Sequence, residues 1–188
     1  MDAFLISTGI VALAEIGDKT QLLSLLLSAR YQRPVPIIAG ILIATVLNHA
    51  LASAVGAWLT TALAPTTLRW MVGISFIAMA LWILVPDRLG KDNTQTKTAS
   101  RYGLLGLTLI VFFMAEMGDK TQIATIALAA RFNAFSAVVA GTTVGMMVAN
   151  VPVVLLGDRL AHRLPVRALR WLTMSLFAAL GMFTLVGS

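Results

Sequence analysis

Four of the chain's eight acidic residues fall in two copies of one octapeptide: Ala14-Glu-Ile-Gly-Asp-Lys-Thr-Gln21 recurs as Ala115-Glu-Met-Gly-Asp-Lys-Thr-Gln122. Glu15, Asp18, Glu116 and Asp119 bring four carboxylates and Lys19 and Lys120 two ammonium groups, a net charge of −2 for the two motifs together. One divalent cation neutralises that charge, and two protons do the same. Alternation between these states is the minimum chemistry of cation/proton exchange. Hard divalent ions take carboxylate and amide oxygens, so Glu15, Asp18, Gln21, Glu116, Asp119 and Gln122 are the candidate cation ligands. Thr20, Thr121, Asn48, His49 and Asn150 form a second tier. An ammonium has no lone pair to offer a metal, and Lys19 and Lys120 read as gating or salt-bridge groups. The competing structural reading makes the acids and lysines a buried ion-pair network.

These residues are embedded in an apolar chain. Of 188 residues, 59% are hydrophobic and 12% charged, against about 25% charged in an average globular domain. Too little polar material remains to coat a soluble particle, which excludes a soluble enzyme. The absence of cysteine excludes a disulfide scaffold and a thiolate metal site. A membrane helix takes about 20 mostly apolar residues. The sequence therefore predicts an all-α membrane protein of six transmembrane helices over 3–29, 35–59, 69–86, 103–130, 134–157 and 170–187. Turn and charge signals mark the breaks: Arg30-Tyr-Gln-Arg-Pro34, Ala64-Pro-Thr-Thr67, Arg131-Phe-Asn133, and the polar stretches 87–101 and 158–167. The first apolar run leads into Glu15 and Asp18 rather than a small-residue cleavage site, unlike a signal peptide.

Glu15 and Glu116 fall at the middle of their spans, where an ionisable group costs at least ~2.5–3.5 kcal/mol. In a continuous helix, a glutamate and an aspartate three apart share one face. Gly17 and Gly118, between them, allow either close backbone approach to a ligand or a helix break.

The repeat extends well beyond the motifs at an offset of 101. Ala29-Arg30 matches Ala130-Arg131, Ala39-Gly40 matches Ala140-Gly141, and Gly56 matches Gly157; Leu68-Arg-Trp70 matches Leu169-Arg-Trp171, and Phe76 matches Phe177. Residues 1–86 and 102–188 read as two three-helix repeats joined by the linker 87–101. With three spans each, the repeats lie upside down relative to one another, the inverted-topology arrangement that places binding sites at the midplane. The net charge of +6 sorts by side. Arg30, Arg33, Arg88, Lys91, Lys97, Arg101, Arg159, Arg163, Arg167 and Arg170 fall in the first, third and fifth loops, and only Arg69 and Arg131 in the second and fourth. This bias orients a membrane protein rather than recruiting nucleic acid. It predicts a cytoplasmic linker with both termini outside. Trp58, Trp70, Trp82 and Trp171 lie toward span ends, as in aromatic belts.

On these residues the chain resembles the Golgi-type calcium/manganese–proton exchangers and their bacterial manganese-exporting branch, whose E-x-G-D-[KR]-[TS] signature is matched by Glu15–Thr20 and Glu116–Thr121. The resemblance covers the whole chain. It implies export of Mn²⁺ or Ca²⁺ from the cytosol in exchange for protons across the plasma (inner) membrane, with the motif acids at the ion site, no cofactor and no enzymatic activity. The bacterial branch points to Mn²⁺. Two other readings stay open: export of an amino acid or other small organic solute, for which Lys19 and Lys120 supply counter-charges, and a metal-dependent membrane enzyme. Monomer and homodimer are equally compatible with the sequence.

Overall fold

The computed structural model describes residues 1–83, 101–156 and 166–186, and every element among them is an α-helix. The linker 87–101, all but Arg101, and the loop residues Asp158, Arg159 and Arg163 lie outside the described residues. In order the helices are α1 (Asp2–Glu15), α2 (Lys19–Tyr31), α3 (Pro34–Ala62), α4 (Pro65–Trp82), α5 (Arg101–Glu116), α6 (Lys120–Phe132), α7 (Phe135–Leu156) and α8 (Val166–Val186). By length and composition α3 and α7 can each cross a membrane; Gly103–Glu116 and Trp171–Val186 are shorter apolar helices.

Six spans were expected, with a break at Gly17 and Gly118 left open, and the described residues form eight helices. The spans predicted over 3–29 and 103–130 are each cut in two at their motif. The cause is local. Gly17 has φ 79° and Gly118 φ 74°, a left-handed conformation that glycine adopts without the Cβ penalty, and an α-helix cannot continue through it. Helix α1 therefore stops at Glu15 and α2 begins after Asp18; α5 stops at Glu116 and α6 begins after Asp119. The shared helical face expected for Glu15 and Asp18, and for Glu116 and Asp119, is replaced by a break between them. Both short helices end alike, on a left-handed residue: Gln32 at φ 51° and Asn133 at φ 47°, each donating its N–H back to a carbonyl four residues earlier. Prolines at the starts of α3 and α4 occupy a position where their missing N–H costs nothing.

Each long helix packs along the broken helix of the other half. Helix α3 runs parallel to α5–α6. At Gly40 an added Cβ would lie 2.7 Å from Thr108 Cβ and 2.9 Å from the Leu105 carbonyl, and Asn48 reaches Phe113 and Gln122 further along. Helix α7 repeats the pattern on α1–α2. A Cβ at Gly141 would lie 2.5 Å from the Phe4 carbonyl and 3.0 Å from Ser7 Cβ, and Gln21, Ser24 and Ser28 bond to α7 in turn. Phe4 and Ser7 are the offset-101 equivalents of Leu105 and Thr108. Helices α4 and α8 meet through Phe76 and Phe177, also equivalents, with ring centroids 6.0 Å apart.

The polarity of α3 is inside out relative to a soluble helix. Leu42, Ile43, Val46, Leu47, Leu51 and Val55 are exposed, while Thr45, Asn48, His49 and Ser53 are buried. A lipid-facing helix has this character, its polar groups turned to the protein interior. The four tryptophans are exposed as well.

Candidate cation site at the paired helix breaks

Each break is braced by its own motif. The Gly17 N–H donates to Gln21 Oε1 at 2.8 Å, and the Gly118 N–H to Gln122 Oε1 at 2.7 Å. Thr20 Oγ1 donates to Glu15 Oε2 at 2.7 Å, and Thr121 Oγ1 to Glu116 Oε2 at 3.1 Å. The N–H of each aspartate reaches the carbonyl of its glutamate, at 3.0 Å for Asp18 and 3.2 Å for Asp119. Asp18 and Asp119 occupy N-cap positions, where a carboxylate ordinarily accepts a backbone N–H of the next turn. Neither makes that bond; their side chains turn to the other half instead.

There the two motifs cross. Lys120 Nζ lies 2.5 Å from Asp18 Oδ1, and Lys19 Nζ lies 3.2 Å from Asp119 Oδ1. Gln21 Nε2 donates to the Ala149 carbonyl at 3.1 Å, and Gln122 Nε2 to Asn48 Oδ1, the equivalent position, at 3.2 Å. Ser24 Oγ donates to Asn150 Oδ1 at 2.7 Å, and Asn48 Nδ2 to the Phe113 carbonyl at 3.0 Å. Both halves therefore contribute to one centre.

Within that centre, Glu15, Asp18 and Asp119 each present an oxygen within 4.8 Å of the other two, and all three residues are buried. Glu116 is buried too but does not join this set. Glu15 Oε1, Glu116 Oε1 and Asp119 Oδ2 have no hydrogen-bond acceptor role filled among the described residues. Three converging carboxylates, with open oxygens on Glu15 and Asp119, suit a hard divalent ion. The starts of α2 and α6 add partial positive charge near the aspartates. The two sides of the centre differ in access. The Lys120 side chain is 7% exposed and that of Lys19 is 26%; Met117 and Gly118 at the second break are exposed, whereas Ile16 and Gly17 are half-buried.

Of the candidates read from sequence, the structure thus brings Glu15, Asp18, Asp119, Lys19, Lys120 and Thr20 together, with Glu116 and Thr121 beside them. Gln21 and Gln122 use Oε1 on the glycine amides and Nε2 on the opposite half, so they hold the breaks in shape. Asn48 and Asn150 are held by their own hydrogen bonds, and neither nitrogen of the buried His49 ring has a partner among the described residues. Sequence reasoning missed Thr45 and Ser53, buried on the same helix with unpartnered hydroxyls. Their signal was there: polar residues four positions either side of His49 in an otherwise apolar run.

Residues 3–91 and 104–188 match the family model described as "Divalent cation/proton antiporter GDT1". A Vibrio cholerae protein named "Putative manganese exporter" is 50% identical over 186 residues, which cover 98% of this chain and 90% of that protein. A GDT1-like protein of Synechocystis is 27% identical over 87% of each chain. GDT1-like protein 3 of Oryza sativa subsp. indica is 28% identical over 88% of this chain and 67% of its own. No solved structure matches the chain.

Proposed function

Because the chain belongs to the GDT1 family of divalent cation/proton antiporters, we propose that it exports Mn²⁺ from the cytosol in exchange for protons, with Glu15, Asp18, Glu116 and Asp119 holding cation and protons in turn. The observation that carries this reading is the convergence of Glu15, Asp18 and Asp119, from both halves, each with a carboxylate oxygen within 4.8 Å of the other two at the helix breaks. Thr20 and Thr121 orient Glu15 and Glu116. The name of the Vibrio cholerae relative supports Mn²⁺ as cargo, with Ca²⁺ the second cation of the same hard-ion chemistry.

Two protons and one divalent cation compete for the same carboxylates, since ligands must be deprotonated to bind metal. Protonation from the outer side releases the cation there, and loss of the protons to the cytosol readies the site again. Export of an organic solute needs the lysines as counter-charges, and both are already engaged by Asp18 and Asp119.

The antiporter family places the chain in a membrane. The finer arrangement proposed is six spans in the plasma membrane, two of them broken, forming inverted three-helix repeats with the linker 87–101 in the cytoplasm and both termini outside. The parallel course of α3 along α5–α6, and of α7 along α1–α2, supports it, because spans two and four, and one and five, share a direction when spans alternate. A C-terminal reporter active only in the cytoplasm overturns this orientation.

The function is tested in proteoliposomes loaded with a Mn²⁺-sensitive dye under an imposed pH gradient. Mn²⁺ flux should follow the gradient in the unaltered protein and disappear in Glu15→Gln and Glu116→Gln. Flux that ignores the gradient, or survives both substitutions, refutes the reading.

A further inference from the structure

Thr45, His49 and Ser53 recur at every fourth position of α3, which places them along one stripe of the helix. All three are buried. Thr45 Oγ1, His49 Nδ1, His49 Nε2 and Ser53 Oγ have no hydrogen-bond partner among the described residues. Buried polar atoms are ordinarily paired with protein or with water, and four consecutive orphans along about 12 Å of helix exceed what local packing explains. The stripe passes the second helix break: Asn48, next to His49, bonds the Phe113 carbonyl one turn before Glu116, and accepts from Gln122, which braces Gly118.

The other half lacks this feature. At the offset of 101 the equivalents of Thr45, His49 and Ser53 are Met146, Asn150 and Val154. Asn150 alone is polar, and it is tied off by Ser24 and by the Met146 carbonyl. Thr125, the equivalent of Ser24, turns its hydroxyl to the Thr121 carbonyl at 2.8 Å instead of to His49. On this stripe the two halves differ: α3 offers a line of unsatisfied donors and acceptors, whereas on α7 the described orphan is a single hydroxyl off the equivalent stripe, Thr143 Oγ1.

We propose that Thr45, His49 and Ser53 line a hydrated track along α3 that carries the exchanged protons to the level of the second helix break, apart from the route of the cation. Hydroxyls and a neutral imidazole each donate and accept, as does water. A proton passes along by each group giving up the one it held, so one enters, one leaves and no other bond changes. A divalent ion finds no carboxylate on this stripe. The inference rests on proton exchange as the activity of the chain.

The full chain contains no cysteine, so single thiols report cleanly. Thr45→Cys and Ser53→Cys should react with Ag⁺ in liposomes about tenfold faster than Met146→Cys and Val154→Cys. Thr45→Val and Ser53→Ala should each slow Mn²⁺-driven proton movement about tenfold, a barrier rise of about 1.4 kcal/mol, with Mn²⁺ affinity unchanged; Thr45→Ser should restore the rate. Equal reactivity on α3 and α7, or proton movement at the unaltered rate in both hydroxyl-free variants, overturns the track. Absence of Mn²⁺-driven proton movement in the unaltered protein instead overturns the proposed function, and the thiol pattern still decides the track.

Discussion

Replacing Lys120 by glutamine should damage the protein far more than replacing Lys19, although the two lysines occupy equivalent positions in motifs that differ only at Ile16 and Met117. Lys120 meets Asp18 at 2.5 Å with both side chains buried, whereas Lys19 meets Asp119 at 3.2 Å with about a quarter of its side chain exposed. Breaking a buried pair by removing one member leaves an uncompensated charge and costs about 3–5 kcal/mol. Solvent reaches the Lys19 end of the other pair, which brings it nearer the worth of an exposed pair, about 0–1 kcal/mol, although Asp119 itself is buried. The expected gap between the variants is therefore about 2–5 kcal/mol in Lys120→Gln's disfavour. Denaturant unfolding in detergent, followed by tryptophan fluorescence with a chelator present, measures it. Mn²⁺ should then restore part of the lost stability in Lys120→Gln, because the cation supplies the positive charge that Asp18 has lost. Equal losses for the two variants, or a larger loss for Lys19→Gln, would refute the inequality of the two sides.

Other outcomes follow from single contacts. Gly118→Ala should cost about 1–2 kcal/mol by thermal unfolding, the penalty of a left-handed alanine, since its Cβ meets nothing within 4 Å. Gly141→Ala, which drives a methyl against the Phe4 carbonyl, should cost about 1–3 kcal/mol through overpacking, and it should be relieved by no ligand. Phe76→Ala and Phe177→Ala should each cost about 3–5 kcal/mol, and the double variant less than their sum because the rings touch. Mn²⁺ affinity, read as a Mn²⁺-induced thermal shift, should fall on going from neutral to mildly acidic buffer, because protons compete for the carboxylates; affinity that rises on acidification contradicts the shared site.

The repeat and the meeting of the two motifs were legible because matching residues at one offset leave little room for another arrangement, but that Glu116 stands outside the set formed by Glu15, Asp18 and Asp119 was not. The interruption of two predicted spans was only half legible. Gly17 and Gly118 permitted a break, but a positive φ is a property of the folded backbone, and the helical spacing of Glu15 and Asp18 pointed the other way. The unequal burial of Lys19 and Lys120 was not legible at all, since the difference lies in what packs over each motif. Thr45 and Ser53 escaped notice for a related reason: a hydroxyl in an apolar helix is commonly satisfied by its own backbone, as Thr108 and Thr142 are here, and only the folded structure shows that these two are not.

The crossed ion pairs also bear on how the chain is made. Asp18 and its counter-ion Lys120 are 102 residues apart. At about 5–20 residues per second, roughly 5–20 s of synthesis separate them. The α7 surface that covers α1–α2 emerges later still. For that interval the first motif has neither its lysine nor its roof. The amino-terminal half can be threaded into the bilayer as it leaves the ribosome, but its charged break cannot be sealed until the carboxy-terminal half arrives. Final assembly of this antiporter is a late event in biogenesis, set by the last helices translated.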